Sequence, residues 1–412
     1  MSLSTFSSSI FETIWKKHFI PKKPILSFDF IEGVRFYKSN FSSLMFNVGK
    51  NLTKGNHYTI KNEEDYKGKA FVIYDVLIDS KMEMIPELEK KLKLYKSKQY
   101  PGFLIELDKY ADVDAYLLDT FGKSSRMKMR KYTKRLETCF DISSKMFYGH
   151  IDKEEYDAVF EGFIGLLERR YSDKQISNNN MGALEWKFYK DVAYPLILEK
   201  KASLFVLYDG KKPIAVTYNY HSNKTVVDAI TVFDIDYAKF NIGYVNNLKL
   251  LGWCFDNKIK ALDFSKGYFD YKKRMCTLEY DFEHHILYDG KSIKACTLAF
   301  LYFKFYEFKF YLRQKDINMK FHKLIYLIFN RKKEALSSEI KITDLEILPE
   351  NDTLTTIDYR KKEFSFLRKP IYDFQYITTK HKNNINVYKT ENQKNTYIIS
   401  SKDLIQQITL KK

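Results

Sequence analysis

Apolar positions along this chain switch repeatedly between a two-residue period and one of roughly 3.6 residues, the spacings of strands and of helices. Between residues 26 and 120 the pattern predicts strands at Phe71–Ile78 and at Phe103–Leu107, the second introduced by Pro101-Gly102. Helical spacing appears at Ile85–Tyr95, where Leu88, Leu92 and Tyr95 share a stripe, and at Asp112–Phe121, through Tyr116, Leu117 and Phe121. A longer helix is expected from Lys153 to Arg170, with Tyr156, Phe160, Phe163, Ile164 and Leu167 on one broad face, then a polar loop at Ser172–Met181 and a helix at Trp186–Leu198.

The text then turns to strands. Ser203–Tyr208, Pro213–Tyr220 and Thr225–Phe233 are separated by Asp209-Gly210 and Ser222-Asn223, which reads as an antiparallel meander. Gly243–Asn257 resumes helical period, with Val245, Leu248, Leu251, Trp253 and Cys254 inward; a short strand Ala261–Ser265, a polar segment through Arg274 and a strand Thr277–Tyr288 follow. A meander followed by such alternation predicts a mixed sheet with helices on its faces. By alternation, one of His284 and His285 in the last strand should face solvent. Beyond residue 297 comes a basic aromatic stretch, in which eight of the twelve residues Phe300–Tyr311 are Phe or Tyr. Tyr372–Thr379 and Thr396–Ser400 then suggest a small strand-rich appendage.

Composition sharpens this picture in four places. The chain has 412 residues, of which 45% are hydrophobic and 17% aromatic, too long for one core and too apolar for disorder. Its four cysteines, Cys139, Cys254, Cys276 and Cys296, show no CxxC spacing, which fits neither a disulfide scaffold nor a zinc cluster and favours a reducing compartment. No basic start followed by an apolar core suggests a signal peptide, and the best apolar run, from Ala295, meets Lys304 after nine residues, so a soluble or at most peripheral protein is expected. The net charge of +17 suits nucleic acid, anionic lipid or phosphorylated ligands, although a chain this rich in Lys, Asn, Ile, Phe and Tyr also carries charge through its codon usage.

Candidate chemistry begins with a basic helix. Seven of the thirteen residues in KSSRMKMRKYTKR, 123–135, are Lys or Arg, while Met129, Tyr132 and Leu136 form an inward stripe. Arg126, Arg130 and Lys134 are therefore either a solvated face or a cradle for an anionic ligand. The aromatic stretch Phe300–Lys333 has three readings: packing across the body of the protein, a membrane-surface helix, or stacking on single-stranded nucleic acid. Histidines show no metal-ligand spacing and no G-x-S-x-G elbow occurs, so metal and serine-hydrolase chemistry are not expected.

The run LFVLYDGKKPIAVTYNYHSNKTVVDAITVFDIDYAKFNIGYVNNLKLLGWCFDNKIKALDFSKGYFDYKKRM, 204–275, carries a resemblance. A strand ending in Asp209-Gly210, the run Pro213-Ile214-Ala215, Phe233-Asp234 through Gly243, and Leu262-Asp263-Phe264 followed by Gly267 and Tyr271-Lys272 stand in order. Together they resemble the GNAT acyltransferase branch associated with cellulose and other polysaccharide biosynthesis in bacteria, two-lobed like the Fem-type peptidyltransferases. Upstream, Ser9–Phe19 with Trp15, Phe103-Leu104-Ile105, and Ser124-Ser125-Arg126 extend the resemblance over residues 1 to 300.

The resemblance implies an α/β protein of two GNAT-like lobes, each a mixed sheet flanked by helices: a degenerate lobe at 1–136 and an acyltransferase lobe at 137–296. A basic aromatic helical segment at 297–336 and a strand-rich appendage at 337–412 complete the chain. It also implies a wedge between two parallel strands, Val226–Phe233 and Ala261–Ser265, open to the amide-bearing arm of an acyl-CoA. Ile230, Thr231, Val232 and Phe233 would line that arm; Asn241, Ile242, Gly243 and Tyr244 would meet its pyrophosphate, although this loop is poorer in glycine than in small GNAT enzymes. Asp263 is the expected base or amine anchor, Tyr271 the acid, and Asp270 and Lys272 would position the acceptor or balance charge, with Asp228 a further carboxylate nearby. No metal is implied.

The expected activity is N-acyl transfer, acetyl-CoA or another acyl-CoA giving its acyl group by direct attack to an amine, with an amino sugar of a surface polysaccharide as the expected acceptor. The expected location is cytoplasmic, at most peripheral on the inner membrane. Two rivals stay open: an aminoacyl-tRNA-dependent transferase of the Fem type, with tRNA on the basic helix, and an inactive adaptor of the same fold.

Overall fold

The computed structural model describes residues 5–40, 43–78, 91–174, 182–315, 317, 339–349, 354–391 and 393–411. Strands and helices are numbered along the chain. A five-stranded sheet takes β2 (Phe36–Lys38), β3 (Leu44–Asn47), β5 (Ala70–Leu77), β14 (Phe282–Asp289) and β6 (Leu92–Lys98) in that order. A seven-stranded sheet takes β13 (Leu278–Tyr280), β7 (Gly102–Glu106), β12 (Ala261–Lys266), β11 (Thr225–Phe233), β10 (Lys212–Ser222), β9 (Ala202–Asp209) and β8 (Ile142–Phe147). β1 (Ile31–Glu32) and β4 (Thr59–Ile60) pair separately, and β15 (Glu339–Leu345), β19 (Ile405–Lys411), β18 (Thr396–Ser400), β17 (Asn386–Thr390) and β16 (Leu354–Thr356) make an antiparallel C-terminal sheet.

The two larger sheets repeat one plan. From β10 the seven-stranded sheet runs antiparallel to β11, parallel to β12, antiparallel to β7 and antiparallel to β13. From β2 the five-stranded sheet runs antiparallel to β3, parallel to β5, antiparallel to β14 and antiparallel to β6. The fourth strand of each sheet comes from the other half of the chain: β7 lies before the meander yet sits beside β12, and β14 follows it yet sits between β5 and β6. The boundary drawn at 136/137 from the sequence therefore does not coincide with the division between sheets.

Helices cover both faces of the seven-stranded sheet. On one side α4 (Lys153–Asp173) and α5 (Ala183–Leu198) bury Tyr156, Phe160, Phe163, Phe188 and Val192 against Leu204, Val206, Val216 and Tyr218, and α1 (Ser9–Phe19) adds Phe11 and Trp15. On the other, α2 (Val113–Thr120), α3 (Lys123–Cys139) and α6 (Ile242–Asp256) close over Phe103, Ile105, Phe205, Val226 and Leu262. Strand alternation divides β9 between them, Leu204 and Val206 to one face and Phe205 to the other. The Asp112 carboxylate starts α2 by accepting from the Ala115 amide at 2.8 Å. α8 (Ile293–Gln314) lies on the five-stranded sheet.

Four expectations change. Ile85–Tyr95 is not one helix: residues 79–90 lie outside those described, and Leu92 opens β6, where Leu92 and Leu94 face one core while Tyr95 meets Phe303 of α8 on the other side. Thr277–Tyr288 is two strands that part at Asp281 into different sheets. His284 and His285 are both buried, because β14 is an inner strand with α8 over one face and the Phe71–Leu287 core on the other. Tyr372–Thr379 is the end of a helix and its left-handed cap: α9 (Arg368–Thr378) packs Ile371, Phe374 and Gln375 at helical spacing under the C-terminal sheet, and Thr379 closes it. The Ser172–Met181 loop lies mostly outside the described residues, as does 318–333 of the aromatic stretch.

Candidate active site

β11 and β12 are paired for only three residues, Thr225↔Ala261, Val226↔Leu262 and Val227↔Asp263. Both strands then bend. β11 carries a bulge at Ala229, where its register with β10 jumps from Asp228 to Ile230, and β12 loses register with β7 between Asp263 and Lys266, with Ser265 at φ +57°. An inserted residue sharpens local twist and turns a strand aside. The two strands diverge into a wedge, and the edge of β11 from Asp228 to Phe233 belongs to no further ladder among the described residues.

Buried charge collects at the apex. Asp263 accepts from the Ser265 amide at 2.6 Å and from the Tyr280 hydroxyl at 2.7 Å. Tyr280 reaches it across Gly102, where a Cβ would stand 2.2 Å from the tyrosine ring, so β7 needs glycine there. Loss of water pushes the Asp263 carboxyl up to about 6. Asp228, one residue past the last pair, is raised by burial as well and accepts from Thr231 Oγ1 at 2.8 Å.

Lys272, on the short helix α7 (Asp270–Met275), holds the bent end of β12: its Nζ donates to the carbonyls of Phe264 at 2.6 Å, Lys266 at 3.1 Å and Ser265 at 3.4 Å. Burial lowers its pKa, while Asp228 and Asp263 oppose that shift. Its positive charge keeps two carboxylates from facing one another uncompensated. Tyr271 lies beside Phe264 with ring centres 5.7 Å apart, and burial holds its phenol protonated, with the Asp228 carboxylate adding to that shift and the Arg170 charge opposing it. Asp270 stays exposed at the start of α7 and does not join the cluster.

At the wide end of the wedge stands the start of α6. Tyr244 and Val245 donate to the Asn241 carbonyl, and the amides of Ile242 and Gly243 precede this first turn. A Cβ at Gly243 would lie 2.9 Å from the Phe233 ring, so glycine lets that ring come close to the start of α6. Arg170 stacks on Phe233 at 4.0 Å and Arg274 lies 5.7 Å from the Tyr244 ring centre, two guanidinium groups the sequence reading did not select. The loop before α6 is clamped from below, where Arg169 pairs with both Asp234 and Asp236 and Lys212 with Asp234 at 2.7 Å.

The five-stranded sheet also supplies charge. Asp75, in β5 at φ +55°, is fully buried and paired with Lys266 of β12, and its amide donates to His284 Nδ1 at 3.1 Å. Burial drops His284 to about 3, so the ring is neutral, with its proton on Nε2. Lys54, from the segment beside β5, lies among Lys266, Lys272, Asp75 and Asp228, and desolvation lowers its ammonium to about 8. No motif marks Lys54 or Asp75; only the pairing of Asn56 with Asp75 and Leu77 brings them to the junction.

The basic helix is partly spent on structure. Arg126 donates to the carbonyls that end α2, Arg130 pairs with Asp114 at 3.0 Å, and Arg135 donates to the Tyr376 carbonyl of α9. Lys128, Lys131 and Lys134 remain exposed on α3. Among the described residues no group of three or more His, Cys, Asp or Glu is arranged to hold a metal ion.

Residues 123–273 match the family model described as the acetyltransferase (GNAT) domain. A search of the curated proteins finds no match. Similar solved structures include a conserved protein of unknown function from Bacteroides thetaiotaomicron, at TM-score 0.45 and 11% identity over 70% of this chain and 92% of that one. FemX aligns at TM-score 0.47 and 10% identity over 69% and 92%, and L-PGS from Bacillus licheniformis at 0.44 and 11% over 68% and 88%. Scores below 0.5 and identities near one residue in ten give these three no weight on chemistry.

Proposed function

We propose, from the premise that residues 123–273 are an acetyltransferase domain of the GNAT fold and the chain an acyltransferase, that the protein moves an acyl group from acyl-CoA to an amine. The observation that supports this most is the wedge: two parallel strands that part after three pairs with Asp263, Asp228 and Lys272 buried at the apex. The donor's amide-bearing arm would add to the open edge of β11 at Ile230–Phe233 as a partial extra strand. Its pyrophosphate would sit at Asn241–Tyr244, between Arg170 and Arg274.

In this reading the acceptor nitrogen attacks the thioester carbonyl, the C–N bond forms and the C–S bond breaks. The proton leaves the nitrogen for Asp263, whose raised pKa of about 6 makes it a stronger base than an exposed carboxylate and still ionised at neutral pH. Tyr271, kept protonated by burial, supplies a proton to the departing thiolate. Lys272 holds the frame rather than the substrate. Attack is direct: burial raises the Cys254 and Cys276 thiols, the wrong direction for a nucleophile.

The acceptor would approach past the five-stranded sheet, where Lys54 faces the apex. We assign it to the amino sugars of surface polysaccharide, made on the cytoplasmic side. The exposed lysines of α3 favour one second reading, aminoacyl-tRNA as donor. Calorimetry separates the two: saturable acetyl-CoA binding, lost on plugging the wedge, supports acyl-CoA, whereas absent acetyl-CoA binding and tRNA affinity falling steeply with salt overturn it.

A further inference from the structure

α8 has one face the fold uses and one it leaves in water. Ala295, Ala299 and Tyr306 are buried. Phe303 stacks on Tyr95 at 4.8 Å, the Tyr306 hydroxyl donates to Tyr74 at 2.7 Å, and Glu307 accepts from Ser97 at 2.9 Å. The opposite stripe is apolar and open: Leu301 is 57% exposed, Phe305 54% and Phe308 60%, with Ile293, Phe300 and Tyr311 along one margin. At about 100° per residue, Leu301, Phe305 and Phe308 fall within a narrow arc, and Lys294, Lys304 and Lys315 project from the same side.

Monomeric soluble proteins rarely leave so continuous an apolar patch uncovered. The charge on it selects the occupant. Glu307 is the one acid between Ile293 and Lys315, and it points away from the stripe into its bond with Ser97. A second copy meeting this face across a two-fold axis would bring lysines against lysines. A negatively charged surface that accepts aromatic rings between its headgroups meets both requirements. α8 is 22 residues long, and no helix among the described residues is long and apolar enough to cross a membrane.

We propose that the Leu301–Phe305–Phe308 face of α8 docks the protein on an anionic lipid surface, with the helix lying in the plane of the interface. This assignment is independent of the transfer chemistry. Its geometry nonetheless serves it: Lys309 and Arg313, on the flank of α8, lie among the charges around His284, Asp75 and Lys266 at the junction of the two sheets. A docked molecule therefore holds that junction next to the bilayer surface.

The test is co-sedimentation of the full chain with phosphatidylcholine vesicles and with vesicles that also contain phosphatidylglycerol. Binding should require phosphatidylglycerol and weaken as salt rises. The double variant Phe305→Ser, Phe308→Ser alters only exposed side chains, so its melting temperature should stay unchanged while vesicle affinity falls about ten-fold or more. Phe305→Trp should show a blue-shifted emission on phosphatidylglycerol vesicles. Equal binding by the double variant, no binding by the parent chain, or a solution dimer that the double variant dissociates would each overturn the proposal. Acetyl-CoA affinity, measured without vesicles, should be the same in both proteins, so failure here leaves the transferase reading intact.

Discussion

The two large sheets are built alike and end differently. Each has a parallel pair joined for three residues, Leu44–Phe46 with Ala70–Val72 in one and Thr225–Val227 with Ala261–Asp263 in the other. In each, the second strand bulges just past the pairing, at Asp75 and at Ser265. In the five-stranded sheet the gap is sewn shut. The buried Asn47 side chain accepts from the Tyr74 amide at 3.0 Å, the Asn56 amide donates to the Asp75 carbonyl at 2.8 Å, and the Leu77 amide donates to the Asn56 carbonyl at 3.2 Å. The chain has taken, along β5, the kind of edge position a ligand's amides would need. In the seven-stranded sheet nothing described does so, and buried carboxylates stand where the strands part. A duplicated plan thus yields one stitched wedge and one left open, the one to which the proposed function gives the acyl donor.

The largest effect should come from the apex of the open wedge. Asp263→Asn keeps the shape and the Tyr280 contact but removes the proposed base, so turnover should fall about 100-fold or more, read as steady-state acyl transfer. In the parent enzyme kcat/KM should rise as pH passes about 6, because the carboxylate must be ionised, and this limb should vanish in the variant. Stability runs the other way. A carboxyl whose folded pKa lies above its unfolded value of 3.8 binds more protons when folded, so its contribution is greatest in acid and is lost as pH climbs from about 4 to about 6. Asp263→Asn should flatten that part of the melting curve's pH dependence. Unchanged turnover would remove Asp263 from the chemistry.

The next pair of substitutions sets the wedges against each other. Gly243→Val pushes a side chain into the Phe233 ring, 2.9 Å from where its Cβ must go, and should raise the Kd for acetyl-CoA about ten-fold in calorimetry. Asn47→Ala unpicks the stitch in the other sheet and leaves the Tyr74 amide without its buried acceptor. It should cost about 1–3 kcal/mol in denaturant unfolding while acetyl-CoA affinity stays put. If Asn47→Ala instead weakened acetyl-CoA binding, the division of labour between the two wedges would be wrong.

How much of this was legible follows from which signals are local. The stripe Tyr156, Phe160, Phe163 and Leu167 and the meander with its two turns fixed α4 and β9–β11, because period and turn residues act over a few positions. The parting strands and the place of Asp263 and Lys272 were implied by the family resemblance that the ordered motifs carry, and the structure brings both residues to the apex, while leaving Asp270 in solvent. The exchange of β7 and β14 was not legible. Alternation says which residues of a strand are inward, and it is silent on which of two sheets receives it. The same holds for Lys54 and Asp75, some two hundred residues from the Lys266 and Asp228 they face. α9 misled for another reason: Tyr372–Thr379 is rich in aromatic and β-branched residues, and packing on Phe140, Tyr237 and Phe240 overrides that propensity.

The smallest effect separates charge from filling at the junction of the sheets. Lys54 meets the apex with an ammonium that desolvation and the charges of Lys266 and Lys272 lower to about 8, against Asp75 and Asp228, which hold it up. If that charge holds the acceptor, the acceptor's KM should rise as pH passes about 8, since the bound state loses an ion–dipole or ion–ion contact when the amine becomes neutral. Lys54→Met should raise KM for the acceptor a few-fold at neutral pH, abolish the rise near pH 8 and leave KM for the acyl donor unchanged, because the place proposed for the donor lies along β11. Lys54→Arg, which stays charged throughout, should keep a low KM across the same range. A side chain that only fills space would give Met and Lys the same flat profile, and the five-stranded sheet would then contribute rigidity to the reaction and no contact to its substrate.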